Sequence, residues 1–241
     1  MKVLTVIQAR TGSSRLPGKV LMKINEKSIL EYIVEFLKLS KFTDQIIIAT
    51  TTLPDDDRIE VLAKKLSIDC FRGSDSDVLK RFYECSKFFN GEIIVRITAD
   101  DPLIDVDILD SVIKSCIETK FDLVSTGITP SFPYGYFIEA FPFSVLKKLH
   151  ESNLDLSLRE HVTLYIKKHP DKFKIKEVLS TKEFERPNWR LSIDYMEDFE
   201  LISKIMSNLY KPGSFVKYES IVKFLDSNKE SLKINRGKNE V

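Results

Sequence analysis

Cysteine is scarce in this chain: only Cys70, Cys85 and Cys116 occur in 241 residues. They are odd in number, far apart and without a CxxC pair or Cys/His cluster, which argues against a disulfide framework and a structural zinc site and suits a reducing cytoplasm. Only three histidines occur, and no nucleophilic Ser or Cys motif accompanies them, so a hydrolase triad lacks support. Eight glycines and nine prolines are too few for a collagenous or low-complexity chain. Long apolar runs are missing as well. Val3-Leu4-Thr5-Val6-Ile7 meets Gln8 and Arg10 after about five residues, too short for a secretory signal core, and no stretch approaches the roughly 20 apolar residues of a membrane span. Charge of one sign is lacking too: 37 basic against 36 acidic residues leave a net charge of +1. No global field draws a nucleic acid or an anionic membrane, so any anion must be bound locally.

What is present fits a globular protein, with 43% hydrophobic and 30% charged residues. At roughly 150 residues per domain, the length suits one domain carrying a lobe. The run from Val3 to Gln8 reads as a strand buried on both faces, and Ser28 with Glu31 makes a capping box for a helix through Leu37. Strands follow at Ile46 to Thr50, Ile68 to Phe71 and Ile93 to Thr98. Helices are expected over 56–66, 77–89 and 107–119, with an apolar segment at 121–124. This alternation predicts an α/β sandwich of three layers, with a mostly parallel sheet covered by helices on both faces. After about residue 127 the rhythm changes, and a lobe inserted over about 128–188 is expected, with helices near 143–151 and 158–168 and a strand near 174–179. A strand at 190–193 and a helix over 196–209 would return the chain to the sheet. A single domain over 1–226 and a charged, solvated tail over 227–241 complete the expectation.

The loop between Gln8 and Val20 carries the strongest local chemistry. Its segment from Gly12 to Lys19 is not a Walker loop, because five residues separate Gly12 from Gly18 and Val20 stands where a magnesium-binding hydroxyl is needed. The dinucleotide fingerprint GxGxxG is absent too. Arg10, Arg15 and Lys19 nevertheless set three cations in the loop after a buried first strand, and Gly12 and Gly18 admit close approach by a ligand. Such a loop suits a polyphosphate at the carboxyl end of the strand, the alternative being a solvated basic turn.

Asp100 and Asp101 end one strand ahead of Pro102, and Asp194 ends the segment Arg190-Leu191-Ser192-Ile193. Magnesium takes hard oxygen ligands, commonly one or two carboxylates plus substrate phosphates, so Asp100 and Asp194 would form a clamp if they meet in space. A strand-end Asp is otherwise a turn former or helix cap, and Asp105, Asp107 and Asp110 are read as N-terminal helix acids. Phe132, Tyr134, Tyr136, Phe137 and Phe141 would line a sugar pocket, form a dimer surface or fill the lobe core.

Taken together, the segments Gln8 to Lys19, Arg72-Gly73-Ser74, Arg96 to Asp105, Arg159 to Thr163 and Arg190 to Asp194 closely resemble the cytidylyltransferase family of spore coat polysaccharide biosynthesis protein F. That family is related to the synthetases of cytidine-monophosphate-activated acidic sugars. The resemblance implies a glycosyltransferase-A-like nucleotide-diphosphosugar transferase fold, a magnesium cofactor, CTP and an acidic-sugar acceptor as substrates, and a homodimer. It implies that Ala9, Arg10, Gly12, Arg15 and Lys19 hold the triphosphate and that Arg72, Gly73 and Ser74 lie near the base. Arg15, Lys19, Asp100 and Asp194 would be catalytic, the two aspartates as metal ligands, and Glu139, Arg159 and His161 would contact the acceptor. The family commonly has an acid two residues before Glu139, where this chain has Phe137, which implies a different acceptor. A sugar-1-phosphate nucleotidylyltransferase using another nucleotide, and a non-catalytic nucleotide-binding scaffold, are the alternatives.

Overall fold

Strand β1 (Val3–Gln8) divides its side chains by parity, with Val3 and Ile7 in one core and Leu4 and Val6 in the other. Burial on both faces is what a central strand of a parallel sheet requires. The computed structural model describes residues 1–237 and continues with β2 (Lys23–Ile24), β3 (Lys27–Ser28), α1 (Ile29–Leu37), β4 (Gln45–Thr51), α2 (Asp57–Lys65), β5 (Asp69–Gly73), α3 (Val78–Phe88), β6 (Ile93–Thr98) and α4 (Val106–Glu118). The second half holds β7 (Leu123–Ser125), β8 (Glu139–Pro142), α5 (Phe143–Glu151), α6 (Leu156–Arg159), α7 (Leu164–Lys168), β9 (Ile175–Glu177), α8 (Met196–Leu209) and α9 (Tyr218–Ser227). One seven-stranded sheet runs β5-β4-β1-β6-β8-β7-β9, with β8 antiparallel to both neighbours and every other pairing parallel. Helices α1, α2, α4, α8 and α9 cover one face, and α3, α5 and α7 the other. The three-layer α/β sandwich is the architecture expected. Among the described residues no helix is long and apolar enough to cross a membrane.

Local chemistry explains the boundaries. The Ser28 hydroxyl accepts from the Glu31 amide at 3.2 Å and the Glu31 carboxylate accepts from the Ser28 amide at 2.7 Å, the reciprocal box that starts α1. Asp77 caps α3 from one side, accepting from the Lys80 amide at 2.8 Å.

The second half departs from expectation. Segment 128–188 is not wholly a separate lobe, because β8 inserts between β6 and β7 and β9 forms the sheet edge. Residues 190–193 are not a strand; they run beside Pro133 to Gly135 with an isolated bridge at Tyr134 and Arg190, their partner being a loop rather than a sheet edge. The helix expected over 158–168 breaks into α6 and α7, where the Thr163 hydroxyl turns to Glu139 instead of its own helix. Helix α9 was not foreseen. The tail is also better packed than expected: Ser231, within a 3-10 turn at 229–233, and Asn235 after it are buried, while 238–241 lie outside the described residues.

Gly135 fixes how segment 189–194 docks. It holds φ +104°, and a Cβ there would lie 2.6 Å from the Leu191 carbonyl carbon and the Ser192 nitrogen. Both atoms are backbone, so neither can swing aside. Gly135→Ala is expected to cost about 3 kcal/mol, at the upper end of ordinary substitutions. Urea unfolding would show it as a lower midpoint with an unchanged slope.

Candidate functional site

The parallel register sets Gln8 opposite Thr98, so the loops leaving β1 and β6 emerge side by side, and the Ala99 amide bonds the Gln8 carbonyl at 3.1 Å. The first loop is anchored from below. The amide and hydroxyl of Thr11 donate to Asp56 Oδ1 at 2.7 and 2.8 Å, and the Thr51 hydroxyl donates to the other oxygen. Burial alone would raise the Asp56 pKa, but these donors outweigh it and hold it below the ordinary carboxylate value. Gly18, in the left-handed region at φ 72°, closes the loop with a 2.9 Å bond from its amide to the Thr11 carbonyl and turns Lys19 inward.

Lys19 then becomes the meeting point. Its Nζ lies 2.8 Å from Asp100 Oδ2, 2.9 Å from Asp194 Oδ1 and 2.6 Å from the carbonyl oxygen of Ile193. Burial opposes its charge, yet Asp100 and Asp194 outweigh that cost and raise its pKa above the ordinary lysine value. Arg15 joins from the loop, with Nη2 2.7 Å from the same Asp194 oxygen, and Arg190 binds the other. Burial would raise the Asp194 pKa, but Lys19, Arg15 and Arg190 lower it, so the group stays ionised. Segment 189–194 arrives here because the Leu191 amide bonds the Tyr134 carbonyl at 2.7 Å and the Ile193 amide bonds the Asp100 carbonyl at 2.9 Å. Asp101, buried beside the pair, has its pKa pushed up to about 7 by burial and then by the charge of Asp100.

Arg15, Lys19, Asp100, Asp101 and Asp194 line a cleft of about 780 Å³. Gln8, Arg96, His161, Thr163, Lys167 and the ring of Phe137 line the same cleft, as does the Tyr134 ring, which lies 4.7 Å from the Arg190 guanidinium. Antiparallel pairing sets Arg96 opposite Glu139, and the fully buried Glu139 carboxylate receives Arg96 Nη1 at 3.0 Å, Lys167 Nζ at 2.6 Å and the Thr163 hydroxyl at 2.8 Å. Burial would raise the Glu139 pKa; Lys167 and Arg96 bring it down to about 2. Burial and the nearby Arg96 lower the pKa of His161, so its imidazole is neutral at pH 7.

Of the residues singled out in the sequence, the cleft brings together Arg10, Arg15, Lys19, Asp100, Asp194 and His161. Others stand apart from it. Ala9 is buried, with its amide 3.3 Å from the Ala49 carbonyl, and Gly12 has open space where a Cβ would stand. Arg72 is turned away: its guanidinium bonds the carbonyls of Thr51 and Leu53 and pairs with Asp57 and Glu60 of α2. Gly73 packs on Arg81, whose Nη1 donates to the Ser74 carbonyl at 2.6 Å, and the following Asp75 lies 3.5 Å from Arg10 of the cleft. Two acceptor assignments need correction. Glu139 lies beneath the cleft as the counter-ion of Arg96 and Lys167, which face it instead. Arg159 is a buried tie between α6 and α3, with Nε 2.8 Å from Asp77 Oδ2.

Gln8, Arg96, Thr163 and Lys167 went unassigned although all but Lys167 sit inside the quoted motifs. Their signal is a register that only the folded sheet supplies. The aromatics divide, Phe132, Tyr136 and Phe141 filling the core while Tyr134 and Phe137 line the cleft.

Asp100 Oδ2, Asp194 Oδ1 and the Ile193 carbonyl already surround one cation, the Lys19 ammonium, and such hard oxygens fit magnesium. No cluster of three or more His, Cys, Asp or Glu suited to a metal occurs among the described residues, so substrate oxygens would have to complete the shell.

Comparison with known proteins gives the family. The chain is 40% identical over 235 residues to an uncharacterized protein of Methanocaldococcus jannaschii, covering 98% of this chain and 95% of that one. It is 32% identical over 217 residues to the spore coat polysaccharide biosynthesis protein SpsF of Bacillus subtilis, covering 84% and 85%. A solved cytidylyltransferase from Leptospira borgpetersenii superposes with a TM-score of 0.90 at 33% identity, over 100% of this chain and 99% of that one. With the cytidylyltransferase family profile matching residues 4–230, the chain belongs to the cytidylyltransferases.

Proposed function

We propose that the protein transfers CMP from CTP to an acidic sugar or a related anionic acceptor, releasing pyrophosphate, in the assembly of a surface glycan. One observation carries the reading: a single cleft is lined by a cationic loop, two converging carboxylates, Arg96 and Lys167. In the reaction an acceptor oxygen attacks the α-phosphorus, the bond to the bridging oxygen breaks, and the electron pair leaves with pyrophosphate. No covalent enzyme intermediate is needed. The enzyme's work is then positioning and charge compensation.

Arg10, Arg15 and Lys19 would meet the triphosphate. Arg15 is 37% exposed and Lys19 is held only by ion pairs and a carbonyl, so both can exchange a carboxylate for phosphate oxygens. Asp100 and Asp194 would hold magnesium, which when bound supplies concentrated positive charge against the phosphate oxygens. Arg96 and Lys167 would receive the acceptor's anion, with Glu139 fixing their position from below. Tyr134 and Phe137 offer apolar faces to a sugar ring. Neutral His161 would donate or accept a hydrogen bond.

Incubation with CTP, magnesium and a panel of acidic sugars should release pyrophosphate, and replacing CTP by UTP, GTP or ATP should not. Lys19→Ala should lower kcat by about 100- to 1,000-fold, by analogy with loss of an oxyanion donor. An unchanged rate would contradict its place on the phosphates. Lys167→Met should raise the acceptor KM while leaving that of CTP in place, measured by varying each substrate in turn.

Glu139 also sets an acid limit. Its folded value of about 2 lies below the unfolded value of about 4.3, so its stabilisation is present above the unfolded value and is lost as pH falls towards about 2. At pH 7, Glu139→Gln should cost about 3 kcal/mol, because it leaves the buried Arg96 and the half-buried Lys167 without their partner. Urea titrations should show that difference shrinking below about pH 4.

A further inference from the structure

Asp194 is held from behind as well as from the cleft. Its amide and that of Tyr195 each donate at 3.0 Å to Oδ2 of Asp198, a fully buried carboxylate in the first turn of α8. The same Asp198 receives Arg190 Nε on Oδ1 at 3.2 Å, while the Arg190 Nη2 reaches forward to Asp194 Oδ2. Arg190 therefore spans two acids, one in the cleft and one beneath it.

One further side chain closes this network, and it comes from the far end of the chain. Asn235 is buried, and its Nδ2 donates to Asp198 Oδ1 at 2.8 Å and to the carbonyl oxygen of Arg190 at 3.0 Å. An Asn amide carries two protons on that nitrogen, so both bonds are made at once. The first supplies Asp198 with a donor that would otherwise have to come from Arg190, leaving the guanidinium free to divide itself between the two acids. The second pins the backbone at the start of the segment that ends in Asp194. Its segment is seated by Leu232 and Ile234, which pack on the larger core.

We infer that Asn235 is a positioning residue of the site: through Asp198 and the Arg190 carbonyl, its carboxamide holds the Asp194 carboxylate at the place where it meets Asp100. Without it, Asp198 loses a donor at Oδ1, Arg190 turns back to compensate, and Asp194 loses the brace on Oδ2. Partners of this kind, standing behind a metal ligand, typically change metal affinity or activity by about 10- to 100-fold. The inference rests on the reading above that Asp194 holds the metal.

Manganese is the probe, because its binding in the presence of CTP and without acceptor is read by electron paramagnetic resonance and needs no turnover. Asn235→Ala is expected to weaken Mn²⁺ binding about tenfold, and Asn235→Asp, which sets a second carboxylate against Asp198, by more. CTP binding without metal should be unchanged. Lys233→Ala, an exposed position in the same segment paired with Glu230, should bind Mn²⁺ as the native protein does. Tm should fall by no more than about 4 °C in Asn235→Ala. Native Mn²⁺ affinity in a folded Asn235→Ala or Asn235→Asp protein overturns the positioning role, as does unfolding of both variants, which would make Asn235 a residue of the fold alone. Absence of Mn²⁺ binding in the native protein overturns the metal-site reading itself and this inference with it.

Discussion

A single buried ammonium ties this molecule together. Lys19 comes from the loop after β1, Asp100 from the end of β6, and Asp194 and the Ile193 carbonyl from a segment far along the chain, yet all four meet within hydrogen-bonding distance. Burying one charge in a cleft is costly unless opposite charges and hydrogen bonds replace the lost water. Here two carboxylates and a carbonyl do so. The same convergence that solves the electrostatic problem of the protein without substrate gathers the groups a metal-bound triphosphate would require.

The sheet makes this meeting possible. Parallel pairing of β1 with β6 sends both loops out of one edge, where open α/β sheets bind their ligands. Asp56 fixes the first loop from beneath through Thr11 and Thr51. The glycine at 135 lets segment 189–194 lie against the loop that follows β7. Reversal of direction at β8 has a separate consequence. It faces Glu139 with Arg96 across the strands, and the pair, joined by Lys167 and Thr163, becomes a charged floor of the cleft.

Much of this was legible in the sequence, for identifiable reasons. The parity of β1, the Ser28 and Glu31 box and the alternation of strand with helix are local patterns, and the structure repeats them to within a residue or two. The cations at 10, 15 and 19 were legible because they crowd one loop after one strand. What escaped was whatever depends on partners distant in sequence. Glu139 and Arg159 fall in the part of the family pattern expected to contact the acceptor, but each is neutralised inside the protein by a group that only folding brings near. Arg72 is diverted by two acids of α2 in the same way. Asn235 lay in a stretch whose polar composition concealed a buried carboxamide.

The central claim is that the cationic loop and the two carboxylates address one nucleotide together. A crystal structure with CTP and manganese, read at the manganese absorption edge, tests it most directly. The account predicts an anomalous peak between Asp100 and Asp194, with Lys19 drawn away onto a phosphate oxygen and the triphosphate lying along Arg10, Arg15 and Gly18. A peak elsewhere, or a triphosphate bound away from that loop while Lys19 keeps its two carboxylates, would contradict it.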